Sequence, residues 1–175
     1  MIFPDKNISI AAEPDIPSLV GLLNQAYRGD ASKKGWTTES HLIAGEVRTD
    51  ETNVKAVMQQ AGSIILKYSD DQGHIIGCVN LQQHADKIYL GMFAVSPQLQ
   101  GGGIGKKILQ AAETYARSLD CVAIYMTVIS VRIELIDWYT RHGYVETGVR
   151  KPFVEDDLTG RHLQPLEFSV LEKKL

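Results

Sequence analysis

The sequence predicts one α/β domain of the α+β kind, with a central sheet flanked by helices. Its length of 175 residues matches one domain of about 150 residues. Hydrophobic residues make up 44% of the chain, so one core can form without metal or disulfide crosslinks. Apolar periodicity gives the order β α α β β β α β α β β, without an internal repeat. We therefore expect residues 1–175 to fold as a single domain.

The front third of the chain is predicted to be rich in helix. Ile8 and Ile10 alternate within a first strand, which Pro14 ends. Asp15 and Asp50 each precede apolar residues at helical spacing, which is typical of N-cap residues. In chain order we predict a strand over 7–11, a helix from Asp15 to Gly29, a loop over 28–36, a short helix over 38–43 and a helix from Asp50 through Met58.

The remainder of the chain is predicted to hold most of the strands. Two β-branched runs, 63–68 and 74–81, flank a turn in which Gly73 can take a positive φ, as in a β-hairpin. Ser96-Pro97 then closes a strand over 87–95. Further along we predict a helix over 104–116, a strand over 121–129, a helix over 133–141, and strands over 144–149 and 166–171.

Charge and cysteine content exclude several function classes. The net charge of -3 opposes attraction to phosphate backbones, so we expect no nucleic acid partner. Cys78 and Cys121 lie in apolar runs without metal-ligand spacing, so we predict core residues and no metal site. No run reaches the roughly 18 apolar residues of a membrane span, and residues 1–10 lack the apolar stretch of a signal peptide. We expect a cytoplasmic protein without a membrane partner.

Four glycines fall within five positions, as Gly101-Gly102-Gly103-Ile104-Gly105. A glycine-rich turn from strand into helix presents backbone N–H groups at the positive end of the helix dipole, which suits phosphate. The positive charges of Lys106 and Lys107 are unfavourable at that end of the helix unless an anion binds there. A P-loop would need glycine in place of Gln100, and the dinucleotide fingerprint GxGxxG would need it in place of Lys106, so neither template fits.

Two segments resemble motifs of one enzyme family. Gln100-x-x-Gly103-x-Gly105 resembles the acetyl-coenzyme A binding motif Q/R-x-x-G-x-G/A of the GNAT N-acetyltransferase superfamily. Members of that family also carry Asn-x-x-Ala-x-x-Leu-Tyr-x-x-x-Gly-Phe after the fifth strand. On those positions this sequence has Arg132, Leu135, Trp138, Tyr139, Gly143 and Tyr144. The tyrosine and the glycine match, Trp138 and Tyr144 are similar, and the first two depart from the motif.

The resemblance implies both a sheet geometry and a cosubstrate. The sheet is expected to be mixed, mostly antiparallel, and splayed between its fourth and fifth strands. Acetyl-coenzyme A is the implied cosubstrate, with its pantetheine arm along the fourth strand and its pyrophosphate on the glycine loop. The residues implied in binding it are Phe93, Ala94, Val95, Gln100, Gly101, Gly102, Gly103, Ile104, Gly105 and Lys106, with Arg132 placed to meet a phosphate.

The resemblance also implies a catalytic residue. Tyr139 falls where members of the family keep the tyrosine that donates a proton to the departing thiolate. Direct attack by an amine further needs an N–H donor for the oxyanion and a base for the ammonium. Several members place a glutamate near the start of the fourth strand, where this sequence has Tyr89. The base is therefore unassigned, and a water chain to a more distant carboxylate is an alternative.

The front helices and their loop are implied to select the acceptor. Tyr27, Arg28, Trp36 and Tyr89 are predicted to contact it, and an arginine near aromatic rings suits an amine that bears a carboxylate. The leading hypothesis is an N-acetyltransferase acting on a primary amine of a small molecule. A regulatory acyl-coenzyme A-binding module without turnover and a protein N-acetyltransferase are alternatives. The sequence also leaves a homodimer open.

Overall fold

The computed structural model describes residues 2–175, in which one seven-stranded sheet carries helices on both faces. The strands are β1 (Ile8–Ile10), β2 (Ser63–Ser69), β3 (Ile75–His84), β4 (Lys87–Val95), β5 (Ala123–Ile129), β6 (Val145–Pro152) and β7 (Glu167–Lys174). The helices are α1 (Ile16–Tyr27), α2 (Gly29–Ser32), α3 (Glu51–Gln59), α4 (Ile104–Ser118) and α5 (Ile133–Arg141). None of the helices in this described part of the chain is long and apolar enough to cross a membrane.

The order of strands in the sheet is β1-β2-β3-β4-β5-β7-β6. Neighbouring strands run antiparallel, except that β4 and β5 run parallel. A parallel pair needs a crossover connection, which α4 provides between these two strands. The predicted mixed, mostly antiparallel sheet is confirmed.

The two faces of the sheet pack against different helices. Alternation along β2 directs Ile65 to the face covered by α1 and α3, and Leu66 to the face covered by α4 and α5. Apolar residues at helical spacing supply the other side of each contact, as with Leu19 of α1 and Ile108 of α4. Full burial of such a side chain contributes about 1.5–3 kcal/mol. These contacts fix the helices against the strands that frame the site.

The predicted short helix over 38–43 is wrong. The segment makes a single turn, in which the N–H of Ile43 donates to the carbonyl of Glu39 at 2.9 Å, and Ile43 then pairs with His162 as an isolated β-bridge. The side chains of Glu39 and Ile43 are buried, so tertiary contacts rather than helical periodicity decide this segment. A four-residue helix, α2, lies instead inside the loop predicted over 28–36.

The two predicted N-caps have different outcomes. Asp50 caps α3, because its Oδ1 accepts from the backbone N–H of Asn53 at 2.7 Å. Asp15 occupies the predicted N-cap position of α1, but its side chain makes no capping hydrogen bond, because its carboxylate accepts from the N–H of Ala12 at 2.8 Å and lies 2.7 Å from Lys67 Nζ. Asp15 thus fixes the chain before α1 to the neighbouring strand β2.

The strands β4 and β5 separate after a short paired stretch. Lys87, Ile88 and Tyr89 pair with residues 123–125, and no pairing with β5 continues beyond them in the described residues. β4 itself extends to Val95. One backbone edge of its last residues is therefore free of a neighbouring strand, as the expected splay between the fourth and fifth strands requires.

Candidate functional site

A first cavity of about 500 Å³ lies where β4 and β5 separate. The end of β4, the glycine loop with the start of α4, and one side of α5 form its walls. Of the residues predicted to bind coenzyme, those lining this cavity are Phe93, Ala94, Val95, Gln100, Gly101, Gly103, Ile104, Gly105 and Lys106. Gly102 and Arg132 do not line it.

The glycine loop enters α4 through left-handed backbone. Gly101 has φ +88° and Gly103, the N-cap residue, has φ +84°, and side chains are strained in this conformation. The first helical N–H with a partner in the helix is that of Lys107, which donates to the carbonyl of Gly103 at 3.1 Å. The N–H groups before it open the helix at its positive end. No described atom lies within 4 Å of a Cβ built on Gly103.

The two lysines after the glycines have different surroundings. Lys106 lines the first cavity beside the start of α4. The Nζ of Lys107 lies 2.9 Å from Asp5 Oδ2 and 3.3 Å from the hydroxyl of Tyr68. These contacts raise the pKa of Lys107, so it stays charged and bound to Asp5. Only Lys106 of this pair is available to the cavity.

The side chain of Gln100 connects β4 with the loop before α3. Its Nε2 donates to Thr37 Oγ1 at 2.7 Å and to the carbonyl of Val95 at 3.1 Å, while its Oε1 accepts from the N–H of Trp36 at 2.8 Å. Gly35 leaves room for this arrangement, because a Cβ there would lie 2.4 Å from the same Oε1. Gln100 thus places Trp36 at the cavity, where its ring lies 6.2 Å from that of Trp138.

A β-bulge in β4 changes the direction of its backbone beside the cavity. The register of β4 with β3 shifts near Met92, which has a left-handed φ of +46°. The next residue, Phe93, lines both cavities of the site, and its carbonyl accepts a hydrogen bond from the hydroxyl of Tyr27. The bulge left no signal in the sequence, because Met92 is neither a glycine nor an asparagine.

Tyr139 lies between the two cavities of the site. It lines the first cavity and also a second, of about 280 Å³, on the other side of the separated strands. Its ring packs near those of Phe93 at 6.2 Å, Trp138 at 5.2 Å and Tyr144 at 5.7 Å. Its hydroxyl makes no hydrogen bond within residues 2–175, and none contributes to the shift of its pKa. Burial, with smaller contributions from nearby tyrosines, raises the pKa of Tyr139 well above its usual value, so the hydroxyl stays protonated.

The second cavity contains a buried group of ion pairs. Arg28 Nη1 donates to Glu39 Oε2, and Arg132 Nη1 lies 3.4 Å from Glu39 Oε1. Burial lowers the pKa of Arg28, and the carboxylate of Glu39 opposes that change. Arg48 stacks over the ring of Tyr27 at 4.1 Å. All four charged residues line this cavity, as does Tyr89, whose hydroxyl lies 3.3 Å from Thr127 Oγ1.

The positions of the predicted acceptor residues divide between the cavities. Trp36 lines the first, Arg28 and Tyr89 line the second, and Tyr27 lines both. Arg132 is buried in the second cavity, away from the glycine loop, which does not fit the predicted contact with a coenzyme phosphate. Arg48 and Trp138 line the site but were not among the predicted site residues. The motif position of Trp138, directly before Tyr139, was a signal that could have found it, whereas Arg48 lies in a loop outside both motifs.

The sequence matches the model of a known family, and the fold matches solved structures. The model of the "Acetyltransferase (GNAT) family" matches residues 23–144. No curated protein sequence matches the chain. Similar solved structures include the ribosomal-protein-S18-alanine N-acetyltransferase from Escherichia coli, at 15% identity and a TM-score of 0.70, covering 95% of this chain and 92% of that one. The ribosomal-protein-alanine N-acetyltransferase from Brucella melitensis is 19% identical with a TM-score of 0.70, and the match covers 96% of this chain and 99% of that one. An acetyltransferase of the GNAT family from Staphylococcus aureus Mu50 is 16% identical with a TM-score of 0.68, and the match covers 97% of this chain and 98% of that one.

Proposed function

Because the chain belongs to the acetyltransferase (GNAT) family, we propose that it transfers the acetyl group of acetyl-coenzyme A to a primary amine of a small molecule. The family makes this chain an acyltransferase. That the acyl group is acetyl, that the acceptor is a small amine and that Tyr139 is the general acid are our proposals.

The first cavity fits an acyl-coenzyme A in size and in charge. Its volume of about 500 Å³ lies within the range of about 300–1,000 Å³ typical of ligand sites. The N–H groups that open α4, together with Lys106, suit a pyrophosphate, and Gly103 leaves the space in front of them free. The splayed edge of β4 suits an extended arm, although the carbonyls of Phe93 and Val95 already accept hydrogen bonds. Bound coenzyme supplies an acyl group activated as a thioester.

Tyr139 carries the proposed mechanism. Tyr139 lines both cavities, and its hydroxyl is neutral, protonated and without a hydrogen-bond partner in residues 2–175. No other residue that lines both cavities combines these features. From there Tyr139 can give its proton to sulfur as the thiolate departs, while the acceptor amine approaches from the second cavity. A positioned acid of this kind contributes about 10²–10⁴-fold in rate.

The second cavity supports a small acceptor. Its volume of about 280 Å³ lies slightly below the usual range for drug-sized ligands, about 300 Å³ and more. Glu39, the carboxylate in its described lining, is ion-paired to Arg28 and is not free to attract a basic protein tail. Both features favour a small molecule over a ribosomal protein as the acceptor.

Two measurements test the proposed function. Isothermal titration should show acetyl-coenzyme A binding, and a thiol-detection screen of amino acids, polyamines, aminoglycosides and N-terminal peptides should show release of coenzyme A with a small amine. Absence of binding at millimolar acetyl-coenzyme A would overturn the proposal. Binding without thiol release for any amine would favour a regulatory acyl-coenzyme A-binding module, and release with peptides alone would favour a protein N-acetyltransferase.

A further inference from the structure

The second cavity holds more positive than negative charge. Arg28, Arg48 and Arg132 line it, and Glu39 is the single carboxylate among its described lining residues. The three arginines come from separate parts of the chain: the end of α1, the loop before α3 and the start of α5. The proposed coenzyme contacts use none of them.

Arg28 already has its partners. Its Nη1 donates to Glu39 Oε2, and both Nε and Nη2 lie 3.4 Å from the carbonyl oxygen of Thr159. The carboxylate of Glu39 thus neutralises this guanidinium. Arg28, predicted from sequence as the arginine that meets a substrate, acts here as a structural ion pair.

Arg132 has a guanidinium that the protein leaves incompletely paired. The residue is only 1% exposed, yet its Nη2 has no hydrogen-bond partner in residues 2–175. Its Nη1 and Nε have long ion-pair distances of 3.4 Å to Glu39 and 3.5 Å to Glu134, and Nε also lacks a hydrogen bond. A buried, unpaired donor on a charged group is costly, so this side chain is suited to an additional anionic oxygen.

Arg48 supplies a second guanidinium without a carboxylate partner in residues 2–175. Its position over the ring of Tyr27 orients the group without neutralising it. The backbone N–H of Arg48 donates to Asn24 Oδ1 at 2.7 Å, which fixes the loop against α1. The second cavity is therefore lined by Arg48, which has no carboxylate partner in residues 2–175, and by Arg132, whose guanidinium is incompletely paired.

We propose that the second cavity binds the carboxylate of the acceptor through Arg132 and Arg48, while the acceptor amine faces Tyr139. The acceptor is then an amino acid or a similar carboxylate-bearing amine. This inference rests on the proposed function and names the substrate class of the same site. A planar guanidinium can bind a carboxylate by two parallel hydrogen bonds, which gives direction as well as affinity.

The same charges disfavour other acceptors. Polyamines, aminoglycosides and basic protein tails would bring further positive charge to a cavity that already has a surplus of it. A nearby guanidinium also disfavours the ammonium form of the acceptor amine, and the neutral amine is the form that attacks. The cavity therefore selects for a carboxylate and, near the reaction centre, for the reactive form of the amine.

Matched probes test the carboxylate directly. We would measure kcat/KM by thiol release for a panel of L-amino acids and for the carboxamide of each one. At neutral pH a larger fraction of each carboxamide than of the matching acid has its amine unprotonated. A preference for the acids therefore cannot come from amine reactivity. We expect kcat/KM to be at least about tenfold higher for the acids that fit, because a hydrogen-bonded charge is lost in each carboxamide.

Two arginine variants connect that preference with the cavity. Arg48→Gln is expected to lower kcat/KM for the acids about tenfold or more, and to leave the carboxamides within about twofold. Arg132→Lys keeps the charge but removes the planar guanidinium. We expect it to lower kcat/KM for the acids and to leave kcat/KM for the carboxamides nearly unchanged. Arg117→Gln, an exposed arginine of α4 outside both cavities, is the matched control and should change neither value. Titration of an N-acetylated amino acid into the Arg48 variant should show correspondingly weaker binding.

The contradicting outcomes separate this inference from the proposed function. If thiol release occurs with polyamines or carboxamides as readily as with acids, or if Arg48→Gln lowers both classes equally, the carboxylate site is wrong and the acetyltransferase proposal stands. If acetyl-coenzyme A does not bind, or if no amine causes thiol release, the proposed function is wrong and this inference falls with it.

Discussion

The hydroxyl of Tyr139 is held in its acidic form by its surroundings. Aromatic rings enclose the side chain, and the cost of placing a phenolate there raises its pKa well above the usual value of about 10. The folded pKa is higher than that of an exposed tyrosine, so the proton persists at pH values where an exposed tyrosine has begun to lose it. A general acid must hold its proton until the leaving group takes it.

This direction of the shift gives a pH prediction. Activity should show no loss assignable to Tyr139 up to about pH 10, because the folded pKa lies above that of a free tyrosine. A profile of kcat against pH, taken at saturating acyl donor, checks this. An alkaline loss centred near pH 9 that disappears in Tyr139→Phe would contradict it.

The ion pair of Arg28 and Glu39 should make a large contribution to stability when one partner is removed. Both side chains are buried, so Arg28→Ala leaves a carboxylate with only the more distant Arg132, and we expect a loss of about 3–5 kcal/mol in the free energy of unfolding. Urea unfolding monitored by circular dichroism measures this. Lys33→Ala, which breaks an exposed ion pair with Asp30, is the control and should leave the free energy of unfolding close to that of the wild type.

Residue identity alone could not separate these arginines. The sequence indicated that Arg28 and Arg132 mattered, but not that Glu39 would neutralise one of them and leave the other incompletely paired. The pairing joins positions 28, 39 and 132, and depends on a turn at 39–43 that local periodicity predicted as helix. Contacts between distant segments decide such roles, and one sequence does not show them.

At the scale of elements, the glycine loop combines backbone strain with open space. Gly103 lines the first cavity and has left-handed backbone, and a Cβ there would meet no described atom within 4 Å. Gly148 in β6 has nearly the same φ, +83°, and the same open surroundings, but lies outside both cavities. Comparing substitutions at Gly103 and Gly148 therefore separates the effect of backbone strain on stability from the effect of lost ligand space on binding.

Valine substitutions at these two glycines should therefore have different effects. Both should lose about 1–3 kcal/mol of stability through backbone strain. Gly103→Val should also weaken acetyl-coenzyme A binding at least about tenfold, because its side chain fills the space before the helix N-terminus. Gly148→Val should bind normally, as measured by isothermal titration. Equal losses of affinity in the two variants would favour a turn without a ligand function.

Elements with strong local signals were predicted well. The hairpin of β2 and β3, the amphipathic α4 and the cap at Asp50 all follow from spacing and turn chemistry within a few residues. The separation of β4 from β5 came from the family resemblance, because each strand alone reads as an ordinary apolar run. The bulge at Met92 and the segment 38–43 depend on contacts with other elements, so no local pattern of residues predicts them correctly.

At the scale of the whole molecule, both thiols belong to the core. Cys78 and Cys121 are buried, and burial raises the pKa of Cys78 to about 12 and also raises that of Cys121. Thiolates react and thiols do not, so neither residue should be alkylated in the native state at about pH 8. Mass spectrometry after iodoacetamide treatment should find no modification until denaturant unfolds the chain, and then two alkylated cysteines.

The same shifts predict how stability changes with pH. The folded state keeps the Cys78 proton up to about pH 12, whereas an unfolded cysteine releases it near pH 8.5. The unfolded chain therefore holds fewer protons between these values, and stability should fall as pH rises through them. Thermal unfolding between about pH 8 and pH 11 measures this, and a midpoint that rises with pH would contradict it.

The central claim is that Tyr139 supplies the proton for acetyl transfer from its place between the two cavities. The most direct test compares kcat for thiol release in Tyr139→Phe and Tyr144→Phe, with acetyl-coenzyme A affinity measured in parallel. Tyr144 is a buried neighbour outside both cavities, and its hydroxyl has no partner in residues 2–175. We predict that Tyr139→Phe lowers kcat about 10²-fold or more with affinity unchanged, and that Tyr144→Phe keeps wild-type kcat. A Tyr139→Phe enzyme with wild-type kcat would contradict the claim.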